Sequence, residues 1–151
     1  MEVNECNVQQ AVPFFWVKNI DASLNFYIGG LGFELKNKWE PSGRIEWCWL
    51  QLGKASIMLQ QHLNEGPNAV IFLDNKKGVG ISINFTCKDA IKLYHKFQEN
   101  GVEVSEPMVG NGLWEILVTD PDGYRLFFES ETNVPEETKY SDWLNSEASK
   151  K

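Results

Sequence analysis

The stretch VKNIDASLNFYIGGLGFEL, residues 17–35, decides the fold. Its first residue closes an apolar, aromatic-rich run, residues 12–17, whose composition favours a strand. Asn19 and Asp21 carry side-chain oxygens that can accept from a free helix N–H, and Ala22, Leu24, Phe26 and Tyr27 follow as the apolar residues of a helix. Gly29, Gly30 and Gly32 then stop that helix, because glycine adopts the left-handed backbone that a helix C-terminus requires. Phe33-Glu34-Leu35 resumes in extended form. The order is strand, helix, glycine stop, strand. A dinucleotide-binding loop is excluded by context, since its glycines follow a strand and open a helix, whereas these follow a helix.

Working outward, residues 46–52 and 55–60 flank Gly53-Lys54 and read as a tight hairpin. A two-residue turn pairs Trp47 with Gln60, Trp49 with Met58 and Gln51 with Ser56 on one face, and puts Cys48, Leu50, Ile57 and Leu59 on the other. Residues 62–78, with Gly66-Pro67-Asn68 and a short apolar run at 69–73, read as a linker. The pattern then returns. Residues 80–86 form a strand, and a helix from Asp89 carries Ala90, Leu93, Tyr94 and Phe97 before Asn100-Gly101 ends it. Strands at 113–119 and 124–129 flank the turn Asp120-Pro121-Asp122-Gly123. By subtraction, Val17 to Cys87 and Tyr27 to Phe97 are each 70 positions and Met58 to Phe127 is 69, so the chain contains an internal repeat. These patterns predict an α+β fold of two tandem βαβββ modules, with curved mixed sheets around a cleft and helices outside. Residues 1–130 form one domain with halves about 11–65 and 79–130, and 131–151 form a loosely held polar tail.

The bulk numbers bound the function. A chain of 151 residues buries one core, and 42% hydrophobic with 13% aromatic residues excludes disorder. A net charge of −7 repels nucleic acid, and the lysine pairs Lys76-Lys77 and Lys150-Lys151 are too small to form a basic patch. Cys6, Cys48 and Cys87 are odd in number, widely spaced and without a CxxC pair, which fits reduced thiols rather than a disulfide framework or zinc site. No apolar run approaches the ~20 residues of a membrane span, and the N-terminus lacks a signal pattern. The expectation is a cytoplasmic protein with neither nucleic-acid nor membrane partners.

Three segments together resemble the vicinal oxygen chelate superfamily, which includes glyoxalase I, extradiol dioxygenases, fosfomycin-resistance enzymes and bleomycin-resistance proteins. They are Val17 through Tyr27, Leu31-Gly32-Phe33, and Asp120-Pro121-Asp122-Gly123-Tyr124. The similarity covers about residues 11–130 and is greatest to the bleomycin-resistance-like members; Glu115 also stands where many relatives carry glutamate. The resemblance implies that enzymatic members hold a divalent metal through His, Glu or Gln at four places, which fall here at Val12, Met58, Ser82 and Phe127. None is a good ligand for such a metal, so no metal or other cofactor is expected. His62 follows the last strand of the first half and His95 falls in the second helix, so a catalytic His-carboxylate pair is not supported. The resemblance also implies a homodimer, with half-modules of two subunits completing each cleft.

The strand phases place Val12, Phe14, Trp16, Trp47, Trp49, Met58 and Gln60 along the cleft in the first half. The second half adds Ser82, Asn84, Thr86, Phe127 and Glu129, with either Trp114 or Glu115, a register the sequence leaves open. Flat aromatic faces near a carboxylate suit a bulky aromatic cation. The reading is a metal-free protein sequestering a hydrophobic or cationic aromatic small molecule, a bleomycin-type antibiotic being the example the resemblance supplies. The alternative is an enzyme: a metal-dependent lyase, isomerase or dioxygenase of the same superfamily, or a metal-free catalyst with Glu115 or Glu129 as base.

Overall fold

A computed structural model of the chain describes residues 6–63 and 77–150. The first half comprises β1 (Phe14–Val17), α1 (Ile20–Leu24) continued by a π-helical turn (Asn25–Gly30), β2 (Glu34–Trp39), β3 (Trp47–Leu52) and β4 (Ala55–Gln61). The second comprises β5 (Ile83–Thr86), α2 (Ala90–Glu99), β6 (Met108–Gly110), β7 (Leu113–Thr119) and β8 (Arg125–Glu131), and α3 (Tyr140–Ser149) follows. The two sheets have orders β1-β4-β3-β2 and β5-β8-β7-β6, with the first strand of each half parallel to its last and the other pairs antiparallel. The repeat in sequence is thus a repeat in topology. Most of the predicted linker lies outside the described residues.

The hairpin register follows from its turn. Gly53 has φ 57°, the left-handed value a two-residue turn needs, and Trp47 pairs with Gln60, Trp49 with Met58 and Gln51 with Ser56 as the pattern predicts. Asn19 is the cap of α1, its Oδ1 accepting from the Ala22 N–H at 3.1 Å, and Asp89 caps α2 in the same way through Lys92 N–H at 2.9 Å.

Several expectations are refined. The first helix ends, as expected, at a left-handed glycine, Gly32 at φ 88°, but before it the helix widens into a π turn in which the Leu31 N–H bonds the Phe26 carbonyl five residues back. Gly30 serves a close approach there, because a Cβ at that position would lie 2.7 Å from a methyl of Val102 in the other half. The strand expected from residue 80 begins at Ile83, since Gly78 and Gly80 at φ 77° and 81° hold a left-handed backbone that a strand cannot contain. The extended segment after Leu35 runs on to Trp39, and β6 adds a strand that the sequence reading did not contain. Finally, the presumed loose tail is docked. Val109 N–H donates to Thr138 O, Glu137 N–H to Val109 O and Tyr140 N–H to Pro107 O, so the segment runs along the edge of β6 before entering α3.

One core joins the halves. Tyr27, Phe33 and Leu50 from the first and Phe85, Phe97 and Phe128 from the second belong to one buried cluster, each burial contributing roughly 1.5–3 kcal/mol. Phe33 meets Phe85 edge-on at 6.1 Å, and Phe15 stacks on Tyr124 at 4.2 Å. Polar ties cross the same boundary: the Tyr27 hydroxyl donates to Asp120 Oδ2 at 2.8 Å and the Tyr124 hydroxyl to the Trp16 carbonyl at 3.0 Å. Opposite this core each sheet presents a second face.

Candidate functional site

Directly opposed residues on neighbouring strands share a face, so the register defines the open side of the first sheet. Phe14 pairs with Met58 and Trp16 with Gln60 across β1 and β4, while Trp47 and Trp49 oppose Gln60 and Met58 across β3 and β4. Six of the seven predicted residues of this half are brought together, while Val12 precedes β1 and has no partner in the sheet. The alternate residues Cys48, Leu50, Ile57 and Leu59 are each 0% exposed and form the core side, whereas the three tryptophans are half-buried. Trp39, opposite Trp47, joins this face at 49% exposure. The sequence reading ended the extended segment at Leu35, and the bulge between Leu35 and Asn37 also reverses the alternation: Leu35 opposes Leu50 on the core side, and Trp39 turns outward.

In the second sheet Asn84 pairs with Phe127 and Thr86 with Glu129, while Glu115 opposes Glu129 and Leu117 opposes Phe127. The open register is therefore resolved toward Glu115. Trp114 points the other way, buried against Tyr140 and Trp143 of α3 at centroid distances of 5.9 and 6.0 Å, and is not part of this face. Leu117 belongs to the face and was missed only for want of the register. Ser82 Oγ donates to Asn84 Oδ1 at 2.9 Å, and Asn84 Nδ2 donates to Glu129 Oε1 at 2.6 Å. This chain holds the buried Glu129 carboxylate as an acceptor in a fixed place. Burial pushes the Glu115 carboxyl above its usual range, and repulsion from Glu129 and Glu136 pushes it the same way. Gly110 lets that carboxylate lie against β6, since a Cβ there would stand 3.0 Å from Glu115 Oε2.

The two faces share one scaffold with different chemistry. Gln60 and Glu129 occupy equivalent places, and so do Phe14 and Asn84, Trp16 and Thr86, Trp47 and Glu115, and Trp49 and Leu117. The first copy presents aromatic rings where the second presents amide, hydroxyl and carboxylate.

The four positions where a metal is implied do not fit one. Val12 and Phe127 offer hydrocarbon, Met58 a thioether, and the Ser82 hydroxyl is already engaged with Asn84. A divalent ion needs several nitrogen, thiolate or carboxylate donors, and among the described residues no group of three or more His, Cys, Asp or Glu is placed to supply them. His95 stands on α2, its Nε2 3.3 Å from the Tyr140 hydroxyl, on the core side of the second sheet. His62 lies just beyond β4, its backbone N–H bound to the Val17 carbonyl.

Comparison with known proteins agrees with this architecture. A family model described as the Glyoxalase/Bleomycin resistance protein/Dioxygenase superfamily matches residues 8–128. No curated protein sequence matches. Among solved structures, a bleomycin-binding protein complexed with bleomycin is similar at 22% identity and a TM-score of 0.58, over 83% of this chain and 100% of that one. An antibiotic binding protein, TnmS3 from Streptomyces sp. CB03234, is similar at 18% identity and a TM-score of 0.60, over 85% and 100% of the two chains. TioX from Micromonospora sp. ML1 is similar at 18% identity and a TM-score of 0.61, over 83% and 100%. At these identities the likeness is one of fold.

Proposed function

The chain belongs to the glyoxalase/bleomycin resistance protein/dioxygenase superfamily, and from that premise we propose that it is a metal-free binding protein that sequesters a planar, cationic small molecule. The observation that carries this reading is the division of labour between equivalent faces: tryptophans and Phe14 on one, the Glu115–Glu129 carboxylates on the other. Aromatic rings attract a planar cation through their π faces, and the carboxylates of buried Glu129 and half-buried Glu115, which have no ion-pair partner among the described residues, gain from receiving one. Two solved relatives bear descriptions of antibiotic binding, which makes a bleomycin-type antibiotic the first ligand to try. We further propose a homodimer in which the aromatic face of one chain and the acidic face of the other enclose the ligand, since a cleft walled on two sides buries more of a ligand than an open sheet does. The cysteines in the described residues are free thiols, Cys48 buried, which supports placing the protein in a reducing cytoplasm.

The test is a fluorescence titration of the purified protein with bleomycin and with 9-aminoacridine, read through the tryptophans, beside metal analysis after incubation with Mn, Fe(II), Co, Ni and Zn. Saturable quenching, weakened about tenfold by Trp49→Ala, and no retained metal are expected. Retention of one metal per chain after desalting, or titrations that never saturate, would overturn the reading. A second reading, general-base catalysis by Glu115, is favoured by its elevated carboxyl and predicts turnover that chelators leave intact and Glu115→Gln abolishes.

A further inference from the structure

A hollow of about 410 Å³ lies between the N-terminal ends of β1 and β5, lined by Val12, Phe14 and Phe15 from one half and Ile81, Tyr124 and Arg125 from the other. That volume is in the range of small-molecule sites. One wall is rigid: Phe15 and Tyr124 are stacked at 4.2 Å, and the Tyr124 hydroxyl is tied to the Trp16 carbonyl. Two apolar side chains at the hollow stand in water, Phe14 at 42% and Ile81 at 60% exposure. Scattered exposed apolar residues need no explanation, but two bordering one concavity leave an apolar surface that a ligand can cover.

Charge then selects the ligand. Among the described residues, Arg125 is the only charged one lining the hollow, although the chain as a whole carries −7. Its guanidinium rests 5.5 Å from the centroid of the Phe127 ring and makes no ion pair among the described residues. Held over a ring, the planar fork keeps its donors available to a carboxylate, whereas apolar walls with a single cation repel an ammonium group. We propose that this hollow binds a small amphipathic anion, an apolar chain carrying one carboxylate, with Arg125 taking the carboxylate and Phe14 and Ile81 covering the chain. The inference does not rest on the cation-binding reading of the open faces. Phe14 and Ser82 border both sites and Phe127 of the acidic face carries the Arg125 guanidinium, but the two sites select opposite charges.

Three probes with the same tail separate charge from hydrophobicity: decanoate, decanol and decyltrimethylammonium, each titrated below micelle formation into ¹⁵N-labelled protein. Decanoate should shift the amides of Ile81, Ser82 and Arg125 saturably, with decyltrimethylammonium at least about tenfold weaker. Arg125→Ala should weaken decanoate about tenfold and leave decanol unchanged, and Arg125→Lys should restore part of the loss. Ile81→Asp, at a position exposed enough to leave the fold intact, should weaken decanoate and decanol alike. Equal affinity for all three probes, an unchanged decanoate affinity in Arg125→Ala, or shifts confined to the tryptophan face would each overturn the proposal. Trp49→Ala should leave decanoate binding intact while weakening 9-aminoacridine, so failure of one site is visible apart from failure of the other.

Discussion

Asp120 shows how one side chain can tie a duplicated fold together. Its Oδ1 accepts the backbone N–H groups of Asp122, Gly123 and Tyr124 at 2.8–2.9 Å, which shapes the turn, and its Oδ2 accepts the Tyr27 hydroxyl from the other half. Burial pushes its carboxyl from 3.8 up to about 6, overcoming the hydrogen bonds that pull the other way. The folded state therefore holds a proton that the unfolded chain releases earlier. The associated stability is fully present below pH 3.8 and is lost as pH rises through about 6, a change of about 3 kcal/mol for that displacement. Asp120→Asn keeps an acceptor for the three N–H groups, and its amide can donate to the Tyr27 hydroxyl, so the variant should lack this pH dependence. Urea unfolding at pH 4 and pH 7.5 would show the wild-type curve falling relative to the variant's; parallel curves would refute the assignment.

Among the elements, α3 and the segment before it change the character of the second sheet. Glu136 accepts the N–H groups of Asn111 and Gly112 at 2.9 and 2.6 Å, and Tyr140 and Trp143 stack with each other and close over Trp114. The segment covers the β6 edge, which would otherwise offer unpaired backbone groups. The equivalent strand β2 is an edge strand among the described residues, with Lys36 and Lys38 on it as charged protection against strand addition. Trp143→Ala should cost about 2 kcal/mol, less than a fully buried tryptophan because Trp143 is partly exposed. A lower urea midpoint at unchanged slope would confirm it, while an unchanged midpoint would mean that α3 is an appendage. The sequence carries the trace of this element, since Tyr140, Trp143 and Leu144 stand at helical spacing, but so short a stripe in a polar segment does not show what it packs against.

For the whole molecule, the central question is how the aromatic and acidic faces come together. If each site takes one face from each of two chains, a Trp49→Ala chain and a Glu129→Gln chain are complementary. Mixed after reversible dissociation, half the pairs are heterodimers with one of two sites intact, restoring about a quarter of wild-type 9-aminoacridine capacity. No recovery on mixing, with sedimentation showing exchange complete, would place both walls of the site within one chain. Recovery would require the second copy.

Much of this architecture is local and therefore legible in the sequence. The near-constant offset of about 70 residues, a helix cap at Asn19 or Asp21 and another at Asp89, and the Gly53-Lys54 turn depend on neighbours in the chain, and they determined the two modules and the Trp47–Gln60 and Trp49–Met58 pairs. The aromatic wall of the first half came with them, because a two-residue turn fixes a hairpin's register. Tertiary structure decided what local rules leave free. The longer Asp120–Gly123 turn admits more than one register, and only pairing within the second sheet turned Glu115 outward and Trp114 inward. Trp39 changes face through a bulge, which costs one residue of alternation and leaves no mark in composition. The final helix holds its place through rings and carbonyls distant in sequence, so its docking became visible only in three dimensions.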